Sequence, residues 1–311
     1  MNTQSNAVPE ASFQSHGVAP TAVSPAQTLY WSIRRELWEN RSIYIAPLAV
    51  AALFVFGFAV NMFSLRHRIG ASSLDSALDP AQQHHVLATQ YELAAALIMG
   101  TALIIGIFYT IDALYGERRD RSILFWKSLP VSDFNTVLSK LAIPIVILPL
   151  LSFAITVATQ FIMLLLSSVI LAGSGVNIAM LWKEASFFQV SFVLLYHLLT
   201  VHGLWYVPLY GWMLMVSAWA PRAPFIWAFL PPFVICGLEK IAFNTSYCLN
   251  MLLYRLTGPG DAMPSHSAPN DFMATLIPDH FFSEPGLWTG LVVGAVFLFA
   301  AVRLRRYRGP I

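Results

Sequence analysis

Long apolar runs separated by short polar breaks set the pattern of this chain. Six runs reach membrane-spanning length, at about 43–63, 91–111, 141–172, 188–218, 225–241 and 286–303. A helix needs about 20 apolar residues to cross hydrocarbon ~30 Å thick. These runs are far longer than barrel strands, so the pattern predicts an all-α polytopic membrane protein with six transmembrane helices. Ahead of the first run, Leu29, Ile33 and Leu37 recur every fourth residue, with Arg34, Arg35 and Glu39 elsewhere on the wheel. That periodicity predicts an amphipathic helix over 29–42, lying flat on the inner leaflet or forming the inner start of span 1.

The breaks have characters of their own. Residues 1–28 are rich in Ser, Ala, Pro and Gln with Glu10 as the only charge, which predicts a disordered cytoplasmic tail rather than a signal peptide. A loop is expected over 64–90, with Arg66, Arg68, His84 and His85, and another around 173–187, with Lys183 and Glu184. The turn 220–224 carries Arg222, residues 242–285 form a long outer segment, and 304–311 is a basic cytoplasmic tail. Ala96/Gly100 and Ala102/Gly106 in span 2, and Gly286, Gly290 and Gly294 in span 6, have the small-residue spacing of close helix packing. The glycine ridge of span 6 is expected to pack within the subunit.

Composition agrees with a membrane protein: 57% hydrophobic and 11% charged, where a soluble domain has about 25% charged. A net charge of +2 gives no reason to expect a nucleic-acid partner. Cys236 and Cys248 are too few for a disulfide framework, and Cys236 falls in a predicted span, which argues against a bridge between them. Arg34, Arg35, Arg41, the cations of 112–140, Arg222 and the tail arginines fall on one side of the six-span arrangement, against Arg66, Arg68, Lys183, Lys240 and Arg255 on the other. Cytoplasmic loops carry the excess of Lys and Arg, so both termini are expected inside.

Residues 112–140 are the densest charged stretch, holding five of the 18 Lys and Arg: Arg118, Arg119, Arg121, Lys127 and Lys140. Charges cost about 2.5–3.5 kcal/mol each at the centre of a bilayer, so this is a solvent-side connector. Ile123, Leu124, Phe125 and Trp126 form an apolar patch, Pro130 stops a helix, and Ser132 and Asp133 suit the cap of the next one. Read from Glu117 to Ser132, the connector E-R-x-x-x-S-I-x-x-x-K-S-L-P-V-S resembles the cytoplasmic connector of ABC transporter permeases of the type-2 exporter family. There a Glu-Lys/Arg, a Gly-Thr-Leu and a Leu-Pro-Val-Ser recur at this spacing. Arg121 and Ser122 stand where that pattern has Gly and Thr.

The resemblance implies a bacterial inner-membrane assembly of two permease subunits, identical or paralogous, with two separate ATPase subunits that hold ATP and Mg; this chain itself needs no cofactor. Glu117, Arg118, Arg119, Asp120, Arg121, Phe125, Trp126, Lys127, Pro130 and Arg222 would form the ATPase-docking face. The 29–42 helix would be the connecting helix, and short outer helices would lie between spans 5 and 6. The substrate would pass between the permeases along spans 2 and 5, with Tyr109, His197, His202, Pro231, Pro232 and Glu239 as candidate path residues.

Those path residues have their own chemistry. Ionisable groups inside a span are functional candidates. On an α-helix five positions turn His197 and His202 about 140° apart, so no metal site is expected, only packing or cavity lining. Pro231 and Pro232 must interrupt the hydrogen-bond ladder of span 5, giving either a broken helix along a path or a structural kink. Glu239 and Lys240 stand at the outer end of that span. The chain has no phosphate-binding loop, no G-x-S-x-G, no paired-Cys zinc motif and no dinucleotide fingerprint, so no catalytic role is expected. The aromatic load suits an amphipathic or apolar cargo such as a peptide, drug or lipid, although interfacial belts explain much of it. A membrane enzyme using the histidines, and a membrane scaffold or sensor, are the alternatives.

Overall fold

The computed structural model describes residues 24–71, 80–129, 131–170, 172, 187–258 and 281–311. Residues 1–23, Pro130, Lys183 and Glu184, and residues 259–280 of the segment expected at 242–285 lie outside these residues. All regular structure among the described residues is helical. The helices are α1 (Pro25–Glu39), α2 (Ser42–Ala71), α3 (Pro80–Ala113), α4 (Tyr115–Arg119), α5 (Ile123–Ser128), α6 (Asp133–Ala142), α7 (Leu148–Ile170), α8 (Phe187–His197), α9 (Val207–Trp219), α10 (Pro224–Phe243), α11 (Tyr247–Thr257) and α12 (Pro285–Tyr307). Two π-helical segments, Ile143–Ile147 and Leu198–Trp205, link α6 to α7 and α8 towards α9.

Five helical stretches among the described residues are long and apolar enough to cross a membrane: Ser42–Ser64, Thr89–Arg119, Asp133–Ile170, Pro224–Phe243 and Pro285–Tyr307. The expected span at 188–218 is instead divided into α8, a π segment, a turn at Tyr206 and the short α9. Proline explains both π segments. A proline ring clashes with the carbonyl four residues before it and brings no N–H to that carbonyl. For Pro149 this is Ile145, and for Pro208 it is Leu204, each inside its π segment. The two segments meet: an ideal Cβ on Gly203 would stand 3.4 Å from the Ile145 carbonyl oxygen.

Several boundaries move. The N-terminal helix begins at Pro25, not 29, because Ser24 and Gln27 form a capping box, Ser24 Oγ accepting from Gln27 N at 3.2 Å. The loop expected at 64–90 is largely helix, since α2 runs on to Ala71 and α3 starts at Pro80. By contrast α10 continues through Pro231 and Pro232 without interruption; the broken-helix expectation fails, and the Ala228 carbonyl, which Pro232 leaves without its helical donor, accepts from Trp212 Nε1 at 2.9 Å.

The core centres on α9 packed against α12, with Trp205, Tyr210, Leu214, Phe281, Leu287 and Ala301 buried together. Small residues allow the contact. A Cβ on Gly294 would lie 2.7 Å from Val207 Cγ1, and one on Gly211 would lie 3.1 Å from the Gly294 carbonyl oxygen. The ridge Gly286, Gly290 and Gly294 faces Tyr254, Arg255 and Val207 in turn, inside the subunit as its spacing implied. Gly106 closes on Tyr210 and Leu148, whereas Gly100 meets nothing. Ile33 and Leu37 of α1 pack on Ile43, Tyr109, Ile143 and Leu148, so the amphipathic helix lies against the bundle.

Candidate functional site

The connector folds as two short helices joined by a tight corner at Arg121, then re-enters the bundle through α6. Ser132 caps α6 as its position implied, its Oγ accepting from Asn135 N at 3.1 Å. Ser217 of α9 holds the other end, accepting from Leu114 N and Tyr115 N at 3.0 and 2.9 Å. Arg121 has φ of 59°, the left-handed region that favours glycine. The position where the resembled pattern carries Gly is therefore one where the backbone calls for it.

The charged face divides into an inward and an outward half. Glu117 and Arg118 are buried. Glu117 meets Arg305 at 2.9 Å, Lys140 at 3.2 Å and Arg35 at 3.4 Å. Lys140 also reaches Glu36 at 2.9 Å, Arg35 reaches Glu36 at 2.7 Å, and Arg305 reaches Asp133 at 2.8 Å. Tyr109 donates to Glu36 Oε2 at 2.8 Å. With the more exposed Glu39, which meets Arg35 at 3.4 Å, four carboxylates and three cations form one network joining α1, α4, α6 and α12. Burying such charges is tolerable only when every one is paired. For Glu36, burial alone would raise the pKa, but Lys140 and Arg35 outweigh it and hold the carboxyl below the ordinary range.

Arg118 has a different task. Its guanidinium donates to the carbonyls of Ala218, at 2.7 Å, and Ala220, at 3.1 Å, capping the C-terminal end of α9. Its own carbonyl accepts from Ile311 N at 3.2 Å. Lys127 Nζ donates to the carbonyls of Arg306 and Arg308, each at 3.3 Å, closing the end of α12. The basic tail is therefore fastened to the connector.

The outward half holds Arg119 paired with Asp120 at 2.9 Å, exposed Arg121, and Leu124 and Phe125, each 59% exposed. Trp126 is half-buried beneath the Arg35 guanidinium, 3.7 Å from its ring centre. Arg222 is exposed on the neighbouring turn. Pro130 lies outside the described residues.

The expected path residues do not gather in one place. Tyr109 belongs to the charge network. Pro231 and Pro232 are half-buried in α10, whose one fully buried residue among those described is Ala228. The Glu239 carboxylate accepts from Thr245 Oγ1 at 2.6 Å and from Tyr247 N and Cys248 N at 2.7 Å each, capping α11. Cys236 and Cys248 form a disulfide with Cα atoms 5.2 Å apart, against the sequence expectation. Asn244, at φ of 52°, turns the chain back after α10 and brings the two cysteines together. The far end of α11 is held by Trp205 Nε1 donating to the Arg255 carbonyl at 3.1 Å and Tyr206 Oη to that of Leu256 at 2.9 Å. α11 is thus a short helix seated between the long helices α10 and α12 in chain order.

His197 and His202 stand together rather than apart, with ring centres 5.8 Å from each other. The separation expected on an α-helix fails because the intervening turn is π-helical, and its i→i+5 repeat stacks residues five apart.

Glu36, Lys140, Asp133 and Arg305 were the residues that sequence reasoning missed. Their signal was charge at positions where the helix pattern wants apolar side chains. No protein-family model, curated protein or solved structure matches this chain.

Proposed function

We propose that the chain is the membrane-spanning permease subunit of an ATP-driven ABC exporter, with the 112–140 connector as the docking element for a separate ATPase. The observation that carries this reading is the two-sided connector. Its inner side is bolted to α1, α6 and α12 by buried ion pairs, while Leu124, Phe125, Arg119 and Arg121 face outward. An element built this way passes a push from a bound partner directly to the spans, and an apolar anchor ringed by charge suits a protein partner.

In this reading the run from α8 to α9 serves as the fourth of six spans, with both termini in the cytoplasm of a bacterial inner membrane. The Cys236–Cys248 bridge supports that orientation, since disulfides persist in oxidising compartments. The sparsely packed α10 leaves room for a second permease, and the cargo crosses between the two copies. ATP and Mg belong to the partner.

The test is co-purification of the full chain with an ATPase encoded beside it. Phe125→Asp with Arg119→Glu alters only exposed side chains and is expected to abolish co-purification and coupled hydrolysis. An unaltered complex would overturn the docking assignment. Arg118 is unsuited to this test, because its loss uncaps α9.

A further inference from the structure

We propose that His197 and His202 form a two-imidazole site for one transition-metal ion, and that copper(I) is the ion it suits. This inference is independent of the transport reading.

Three observations converge. The π segment Leu198–Trp205 places the two rings on one face of the helix, with centres 5.8 Å apart and planes 59° from parallel. Two imidazoles that share an ion at about 2.0–2.1 Å per nitrogen put their ring centres roughly 5–6.5 Å apart, so the pair needs little movement to close on a metal. Secondly, His202 Nδ1 is buried and has no hydrogen-bond partner among the described residues. A buried ring nitrogen left without a partner is costly, and a metal ion satisfies it. Thirdly, π segments inside helices are found frequently at functional sites, and this one is maintained by Pro208 and the close approach of Gly203 to Ile145.

The donor set selects the ion. Among the described residues no third His, Cys, Asp or Glu joins the pair. Leu198, Val201 and Trp205 of the same π segment are buried, and Tyr206 stands edge-on to His202 at 5.4 Å. A divalent ion held by two neutral imidazoles would carry both charges into apolar surroundings without compensation. Copper(I) carries half that charge and accepts two donors.

The experiment titrates the purified full chain, in detergent and without oxygen, against the coloured copper(I)–bicinchoninate complex. Removal of one copper per chain is expected, with affinity reduced at least about 10-fold in His197→Ala and in His202→Ala. His202→Met supplies a thioether, which also binds copper(I), and is expected to retain uptake that His202→Ala loses. X-ray absorption of the copper-loaded wild-type chain should show two nitrogen neighbours, a readout needing no variant. No copper uptake, uptake unchanged in both alanine variants, or sulfur neighbours in the wild-type spectrum would each overturn the site.

Discussion

Arg305 Nη2 lies 2.9 Å from Glu117 Oε2, although 188 residues separate them, and both side chains are buried. The pair ties the last long helix to the connector and shares Glu117 with Lys140 and Arg35. Removing one member of a buried pair costs about 3–5 kcal/mol, because a charge is left uncompensated. Glu117→Gln is therefore expected to lower the thermal midpoint sharply. Glu117→Gln with Arg305→Met should recover part of the loss, which a double-mutant cycle in detergent measures.

The network also sets a pH response. The folded Glu36 carboxyl lies below its ordinary value of 4.5. Its contribution is complete above that value and is lost as pH falls through the lower, folded-state value. The stability gap between the wild-type chain and Glu36→Gln should be wide at pH 7 and close below pH 4.5. Melting curves across this range check it, and a gap independent of pH would contradict the pairing.

At the corner of the connector, the left-handed Arg121 carries a strain that glycine lacks, on the order of 1–2 kcal/mol. Arg121→Gly is expected to raise stability by roughly 0.5–1 kcal/mol after the entropy of the unfolded chain is counted. Arg121→Ala removes the same charge but keeps the strain, so it should give no such gain.

Gly294 has no room for a methyl group, with Val207 Cγ1 2.7 Å and Pro208 N 3.2 Å from the position of an added Cβ. Gly294→Ala should cost about 1–3 kcal/mol through overpacking. Gly57→Ala, where nothing lies within 4 Å, should be neutral or stabilising. Comparing the two melting shifts separates packing from helix propensity.

The Cys236–Cys248 bridge predicts that the unreduced, denatured chain shows no thiol reactive towards maleimide. Cys248→Ser should expose one thiol and weaken the seat of α11 by about 3 kcal/mol or less, from the loop-closure entropy of a short loop. Protease sensitivity around 244–258 is the readout.

The long apolar runs were legible in the sequence because composition alone reveals them, and five of them stand as helices of spanning length. The cap at Ser132 was legible too, since it depends on local chemistry. The partners of Glu117 were not. Lys140 and Arg305 resemble ordinary positive-inside residues, and only the meeting of four helices makes them its counter-charges. The register of His197 and His202 was hidden for a related reason. Counting 3.6 residues per turn assumes an unbroken α-helix, and the π-helical stretch from Leu198 to Trp205 replaces that count. Cys236 was misjudged because a span was assumed to exclude a bridge, whereas Asn244 turns the chain back within reach.

The fastening of Arg305, Arg306 and Arg308 to the connector also orders events in time. Residues 117–127 emerge from the ribosome long before residue 305, so Glu117 and Lys127 await their final partners until α12 has been made. The connector cannot take its finished shape until the last long helix is in place.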